Sequence, residues 1–286
     1  MDGTIERVGA LIRQGIWEGV DFGRAKSWYR QFQDRDLQLL GACLLDNLVY
    51  RSKPQFMSML RTLMTCPQLL GPDREDDWSL AQSLSTRREP LIRLVPVISL
   101  DLPPTKSGTY VLRLLARSLR VRDEWMLWPE RLLGIPNTVN TILLVDDFCG
   151  TGDQFIDFLQ RADITQFYNS RPDCRVVYLA AVGHTKGISH IRNLHPKIEV
   201  IVAEELNTDH HFFSGSVLDQ YGIPDLKPQL LEQYDGLCRN QGIGGNLGGY
   251  GYGDYGLCYA FAHSTPNNTL PIFWYHTPDW QPLLDR

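Results

Sequence analysis

One stretch of the chain has residue types and spacing that could do chemistry: NTILLVDDFCGTGDQF, Asn140 to Phe155. An apolar run from Ile142 to Val145 leads straight into two adjacent carboxylates, Asp146 and Asp147, and a Gly150-Thr151-Gly152 turn follows. A glycine-rich turn between a strand and a helix lets several backbone N–H groups converge on one point. The helix N-terminus adds partial positive charge there. A phosphate suits such a place. Two carboxylates beside a phosphate would repel it unless they face another part of the same ligand. Sugar hydroxyls, which carboxylate oxygens can accept, meet that requirement, and so does a divalent cation held by Asp146 and Asp147. The residues therefore point to a ribose 5-phosphate, with its hydroxyls on the aspartates and its phosphate on Gly150, Thr151, Gly152 and Asp153. A plain strand–turn–helix corner with an aspartate N-cap would show the same order. Ends of buried strands, however, rarely carry adjacent acids without a ligand or partner. Cys149 lies in the same loop, where a nearby helix N-terminus would lower its pKa; with no base beside it, packing is its plainer role.

The elements that must position these residues follow from the hydrophobic pattern. Residues from about Ile5 to Met64 have helical spacing, with Phe32, Leu37, Leu40, Cys43, Leu44, Leu48 and Val49 at mixed spacings, mostly three and four, and Pro54 ending one helix and starting the next. Gly71 to Pro90 is polar and charged and reads as a boundary. Beyond it, short apolar runs at Leu91–Leu100, Thr141–Asp146, Arg175–Val182 and Ile198–Glu205 alternate with helical segments. That alternation predicts an α/β fold: a mostly parallel sheet with helices on both faces, preceded by an α-helical N-terminal region. The expected organisation is a helical region over 1–88 and an α/β domain over 89–286 with a glycine-rich C-terminal loop. Ligands in such sheets bind outside the carboxyl ends of the strands, which puts the Asp146–Asp147 pair on the binding rim.

Composition sets outer limits. The chain has 286 residues, 43% of them apolar, and a formal net charge of −5, which argues against bulk electrostatic binding to nucleic acid. No apolar run approaches the roughly 18 residues that span a bilayer. The six cysteines are scattered without a C-x-x-C pair, as expected of a reduced, cytoplasmic protein.

Other segments offer weaker candidates. GYGDYG, Gly251 to Gly256, matches G-x-G-x-x-G but follows a loop and leads into a strand-like run, so a flexible lid suits it better than a dinucleotide fingerprint. Asn267 and Asn268 in STPNNTLPIFWYH could read a base edge beside stacking aromatics; a turn followed by a buried strand reads equally well. Glu204, Glu205, Asp209, His210 and His211 lie on the same rim, where solvated loop residues are the plainer reading. His184, just after the third strand, is a weak candidate.

ILLVDDFCGTG resembles the signature of the type I phosphoribosyltransferases: four apolar residues, two acids, a few variable positions, then Thr-Gly. In that family the loop after the first strand holds the pyrophosphate of phosphoribosyl pyrophosphate (PRPP). Here VPVISLDLPPTKSGTYVLRLL has a strand, a loop and a helix in that place, and Lys106, Ser107, Gly108 and Thr109 would serve. Over most of its length the chain is similar to PRTase-CE, a bacterial phosphoribosyltransferase-like family associated with conflict and defence systems. The N-terminal helical region, SGTYVLRLL, LLVDDFCGTG and STPNNTLPIFWY carry that likeness.

The resemblance implies transfer of a phosphoribosyl group from PRPP, or cleavage of a nucleotide's N-glycosidic bond, with Mg²⁺. Asp146, Asp147 and Lys106 would be catalytic, and Asn267 and Asn268 part of a base or acceptor pocket. It also implies a toxin-like effector role in antiviral defence, with a protein partner encoded nearby and RNA among the acceptors. One departure is plain. The family's long catalytic loop before the signature strand is replaced by the short VRDEWMLWPERLLGIPN. A PRPP- or nucleotide-sensing module without turnover is therefore the alternative reading.

Overall fold

The computed structural model describes residues 2–70, 80–85, 91–98, 107–221 and 226–286. In chain order the elements are α1 (Asp2–Arg13), α2 (Phe22–Arg30), α3 (Arg35–Asn47), β1 (Val49–Arg51), α4 (Lys53–Thr65), α5 (Pro67–Leu70) and α6 (Leu80–Ser85). There follow β2 (Ile92–Pro96), α7 (Ser107–Leu119), β3 (Thr141–Cys149), α8 (Asp153–Arg161), α9 (Ile164–Ser170), β4 (Arg175–His184), α10 (Thr185–Leu194), β5 (Ile198–Leu206), α11 (Leu226–Gln241) and β6 (Tyr259–Phe261). No described helix is long and apolar enough to cross a membrane.

Contacts divide the chain into two compact units, Met1–Gln55 with Asn207–Arg286, and Phe56–Leu206. The composition change at residue 88 is thus not where the contacts separate. The reason is a strand that helical spacing conceals: Val49–Arg51 is extended and pairs in parallel with β6, Val49 opposite Tyr259 and Arg51 opposite Phe261.

In the first unit, local chemistry starts the helices. The Asp21 carboxylate accepts from the Arg24 N–H, and that of Asp34 from the Leu37 N–H, both at 2.8 Å. An aromatic cluster fills the core. Trp28 stacks on Phe273 at 5.5 Å, and the indoles of Trp28 and Trp280 both donate to the Ile272 carbonyl. The expected strand at PIFWY is instead a tight turn of 3-10 helix over Pro271–Phe273. The glycine-rich segment is tied down rather than free. Tyr252 N–H donates to the Asn267 carbonyl and the Asn268 amide to the Tyr252 carbonyl, each at 2.7 Å. Gly251 has φ 75°, and a Cβ there would meet the Asn267 oxygen at 2.6 Å, so only glycine permits this close approach.

The second unit is the α/β layer structure that the alternating runs predict. Its four-stranded sheet has the order β2-β3-β4-β5 with every pair parallel. Beyond β2, Leu94 forms a parallel bridge to Met126, and the Leu127 N–H donates to the Leu94 carbonyl at 2.9 Å. This one-residue edge comes after α7 in the chain, so the chain runs outward from β2 and then crosses back to β3. α7 packs on β2 and β3, while α8, α9 and α10 share an apolar core with Ile142, Leu144, Val176 and Tyr178 on the other face. The winding therefore reverses between β2 and β3, and at such a switch point neighbouring loops diverge and leave a crevice at the strands' carboxyl ends.

Candidate functional site

β3 runs three residues past the expected end, through both aspartates to Cys149. Side chains alternate along a strand, so adjacent acids start toward opposite faces. Asp146 continues the row of Ile142 and Leu144 toward α8; Asp147 continues the row of Leu143 and Val145 toward α7. Their surroundings differ accordingly. Asp146 is 2% exposed; its Oδ2 accepts from the Tyr178 hydroxyl at 3.1 Å and its Oδ1 from the Asp147 N–H at 2.9 Å. Burial, then the charge of Asp147, hold its carboxyl proton well above the usual aspartate range; a hydrogen bond between the two carboxyls acts in the same direction. Burial and the nearby Asp146 also push the Tyr178 phenol well up. Asp147 is 7% exposed and accepts from the Ser107 hydroxyl at 2.8 Å. The two carboxylates of the pair thus have different partners, Tyr178 for Asp146 and Ser107 for Asp147.

Ser107 opens α7, and Gly108 lets that helix start close to β2: a Cβ there would stand 3.1 Å from the Val97 carbonyl oxygen. Thr109 is half-buried in the same first turn. Lys106 lies outside the described residues.

The loop after β3 has the turn that its glycines predict. Gly152 has φ 88° and caps α8, which starts at Asp153. Gly150 and Thr151 are half-buried. The Thr151 hydroxyl donates to Oδ2 of Asp153 at 2.8 Å, and Nδ1 of His190 lies 3.2 Å from the Thr151 carbonyl oxygen. Cys149 is not activated. Its thiol lies in the core with Phe155 and Phe158, and burial, then Asp146, push it up to about 12. The lowered pKa expected from the helix end gives way to a raised one because the thiol is buried, with Asp146 nearby.

The remaining candidates belong to several elements. His184 is fully buried and caps α10 by accepting from the Lys186 N–H at 3.2 Å. Glu204 and Glu205 belong to β5; Asp209 and His210 form a capped turn in the other unit with Asn207, and His211 follows it, its ring on Tyr255. Asn267 and Asn268 also belong to that unit, where they fasten its glycine-rich segment. Among the described residues, no group of three or more His, Cys, Asp or Glu side chains is set to hold a metal ion.

Three contributors were missed. Tyr178 is the lone aromatic in an aliphatic strand, and its hydroxyl needs a partner once buried, a signal that was available. Gly187 interrupts a helical pattern: a Cβ on it would stand 2.0 Å from the Gly150 oxygen, so α10 touches the loop backbone directly. His190, one turn on, reaches the loop only because of that contact. The segment before β3, where the type I family has its catalytic loop, forms the sheet's edge bridge and two 3-10 turns. Trp125 and Leu132 are buried, and the Arg93 guanidinium lies 4.9 Å over the Trp125 ring.

No curated protein matches the sequence. Among solved structures, that of the AQ2163 protein from Aquifex aeolicus is similar at 10% identity, covering 65% of this chain and 83% of that one with a TM-score of 0.31, too slight a likeness to carry an argument. The PRTase-CE family model, by contrast, matches residues 25–286. With the acid pair and the Gly-Thr-Gly turn inside that span, the chain belongs to the PRTase-CE family, whose name marks a phosphoribosyltransferase-like protein.

Proposed function

We propose that the crevice between β2 and β3 binds the ribose phosphate of PRPP or of a nucleotide, and that the protein transfers a phosphoribosyl group or cleaves an N-glycosidic bond. One observation carries the reading. Asp147 stands at the winding reversal, held by Ser107, with a left-handed glycine turn opening α8 beside it. Asp147 would accept the ribose hydroxyls. Asp146, buried, also fixes the Asp147 backbone by accepting from the Asp147 N–H.

Magnesium fits this site in one way. Asp147, with the ligand's phosphate oxygens and with Asp146 beside it, could hold an ion that arrives on the ligand. The ion would neutralise pyrophosphate as it departs. Lys106 and the first turn of α7 would assist. Consumption of a host nucleotide by such chemistry would make the protein a toxin effector in antiviral defence, joined by a partner encoded nearby.

Incubation with PRPP, Mg²⁺ and a panel of bases, nucleotides and RNAs tests the proposal by pyrophosphate or free-base release. Product formation that Asp147→Asn abolishes is the expected result; ligand-dependent thermal stabilisation without any product overturns turnover. That second outcome is the sensing-module reading, and it has its own support. The residues before β3 are packed as a sheet edge, which leaves water exclusion to another part of the chain.

A further inference from the structure

The loop that opens α8 already has an anion at its mouth, and it is the chain's own. Asp153 is the first residue of α8, and the Thr151 hydroxyl, a natural phosphate donor, is bonded to its Oδ2 at 2.8 Å. On the other side, Nδ1 of His190 stands 3.6 Å from its Oδ1. His190 can stand there because Gly187 allows α10 to meet the Gly150 carbonyl without a Cβ between them. A carboxylate in the first turn of a helix is favoured by the same partial charge that would attract a phosphate. Asp153 thus competes for the field and for the hydroxyl that the phosphate would use.

We infer that Asp153 sets ligand specificity and narrows the proposed ligands to the nucleotide branch: it disfavours a ribose bearing a terminal phosphate, PRPP included, and selects one whose phosphate is a diester, as within a nucleic-acid strand or a dinucleotide. The inference rests on the ribose-phosphate reading of this crevice. A phosphate monoester carries about −1.5 to −2 charges near neutral pH, a diester one. Repulsion by a fixed carboxylate scales with the product of the charges, so the diester meets roughly half of it. The diester also needs fewer donors, which suits a loop whose threonine hydroxyl is already engaged.

Titration calorimetry of the full chain with Mg²⁺ compares ribose 5-phosphate with its O-methyl phosphodiester, a pair that differs by one ionisable oxygen. The wild type should bind the diester about tenfold or more tightly, the equivalent of roughly 1.4 kcal/mol. Asp153→Asn, isosteric and uncharged, should erase that preference by strengthening monoester binding. Asp153→Ser should do the same, which guards against a local effect of one substitution on the helix start. Equal affinities in the wild type, or an unchanged preference in both variants, overturns the inference. Asp147→Asn separates this from the underlying reading. If the wild type and both Asp153 variants bind neither ligand, or if Asp147→Asn binds both as well as the wild type does, the ribose-phosphate site itself is refuted and the inference falls with it.

Discussion

The Tyr178 hydroxyl donates to Oδ2 of Asp146 at 3.1 Å, and the phenol ring that carries it lies stacked on Phe155 at 3.8 Å. The acid is therefore held from β4 by a donor whose own position α8 fixes. Tyr178→Phe keeps the ring and removes the donor. A buried oxygen that loses its partner costs about 1–3 kcal/mol, and the urea midpoint should fall accordingly with an unchanged slope. An unaltered midpoint would mean that the bond contributes nothing net.

The protonation of Asp146 gives stability a definite pH slope. Its folded pKa lies above the unfolded one, so the native state binds the proton more tightly. The stabilisation is fully present below the ordinary aspartate value of about 3.9 and is lost as pH rises toward the raised folded value. Unfolding free energy should thus decline with rising pH across that window. Asp146→Asn, which needs no proton, should flatten the decline; a slope as steep in the variant as in the wild type would assign the effect to other groups.

Gly187→Ala tests the contact between α10 and the loop after β3. The added methyl group would overlap the Gly150 oxygen, so backbone has to move. Overpacking of this kind costs about 1–3 kcal/mol. Thermal unfolding should show that loss, and any ligand that uses the loop should bind more weakly in proportion to the displacement.

Asn268 separates fastening from base reading. It is 2% exposed, and its amide holds the Tyr252 carbonyl. Asn268→Ala should destabilise the ligand-free protein by about 1–3 kcal/mol and speed hydrogen exchange between Gly248 and Gly256. A variant as stable as the wild type but defective in ligand binding would support the recognition role.

Much of the site was legible because its signals are local. The aliphatic run before Asp146 requires a buried strand, and Gly150-Thr151-Gly152 before Asp153 requires a turn into a helix; both are present. What stayed hidden depends on partners distant in the chain. A three-residue strand at Val49 has no periodicity of its own and is extended only because Tyr259 pairs with it. The bridge at Met126 is shorter still, yet it identifies where the winding reverses. The inequality of Asp146 and Asp147 could not be read from their adjacency, since it depends on which face α8 closes and on a tyrosine 32 residues away.

The β1–β6 pairing has a consequence for how the chain is made. Val49 leaves the ribosome long before Tyr259 exists, so Trp28 and Phe32 must wait uncovered for Phe273 and Trp280. Phe56–Leu206, contiguous in sequence, can complete its own core during that delay. Synthesis thus imposes an order in which the sheet that carries Asp147 matures first, and a message cut short before Tyr259 leaves that finished sheet attached to an exposed, chaperone-prone aromatic surface.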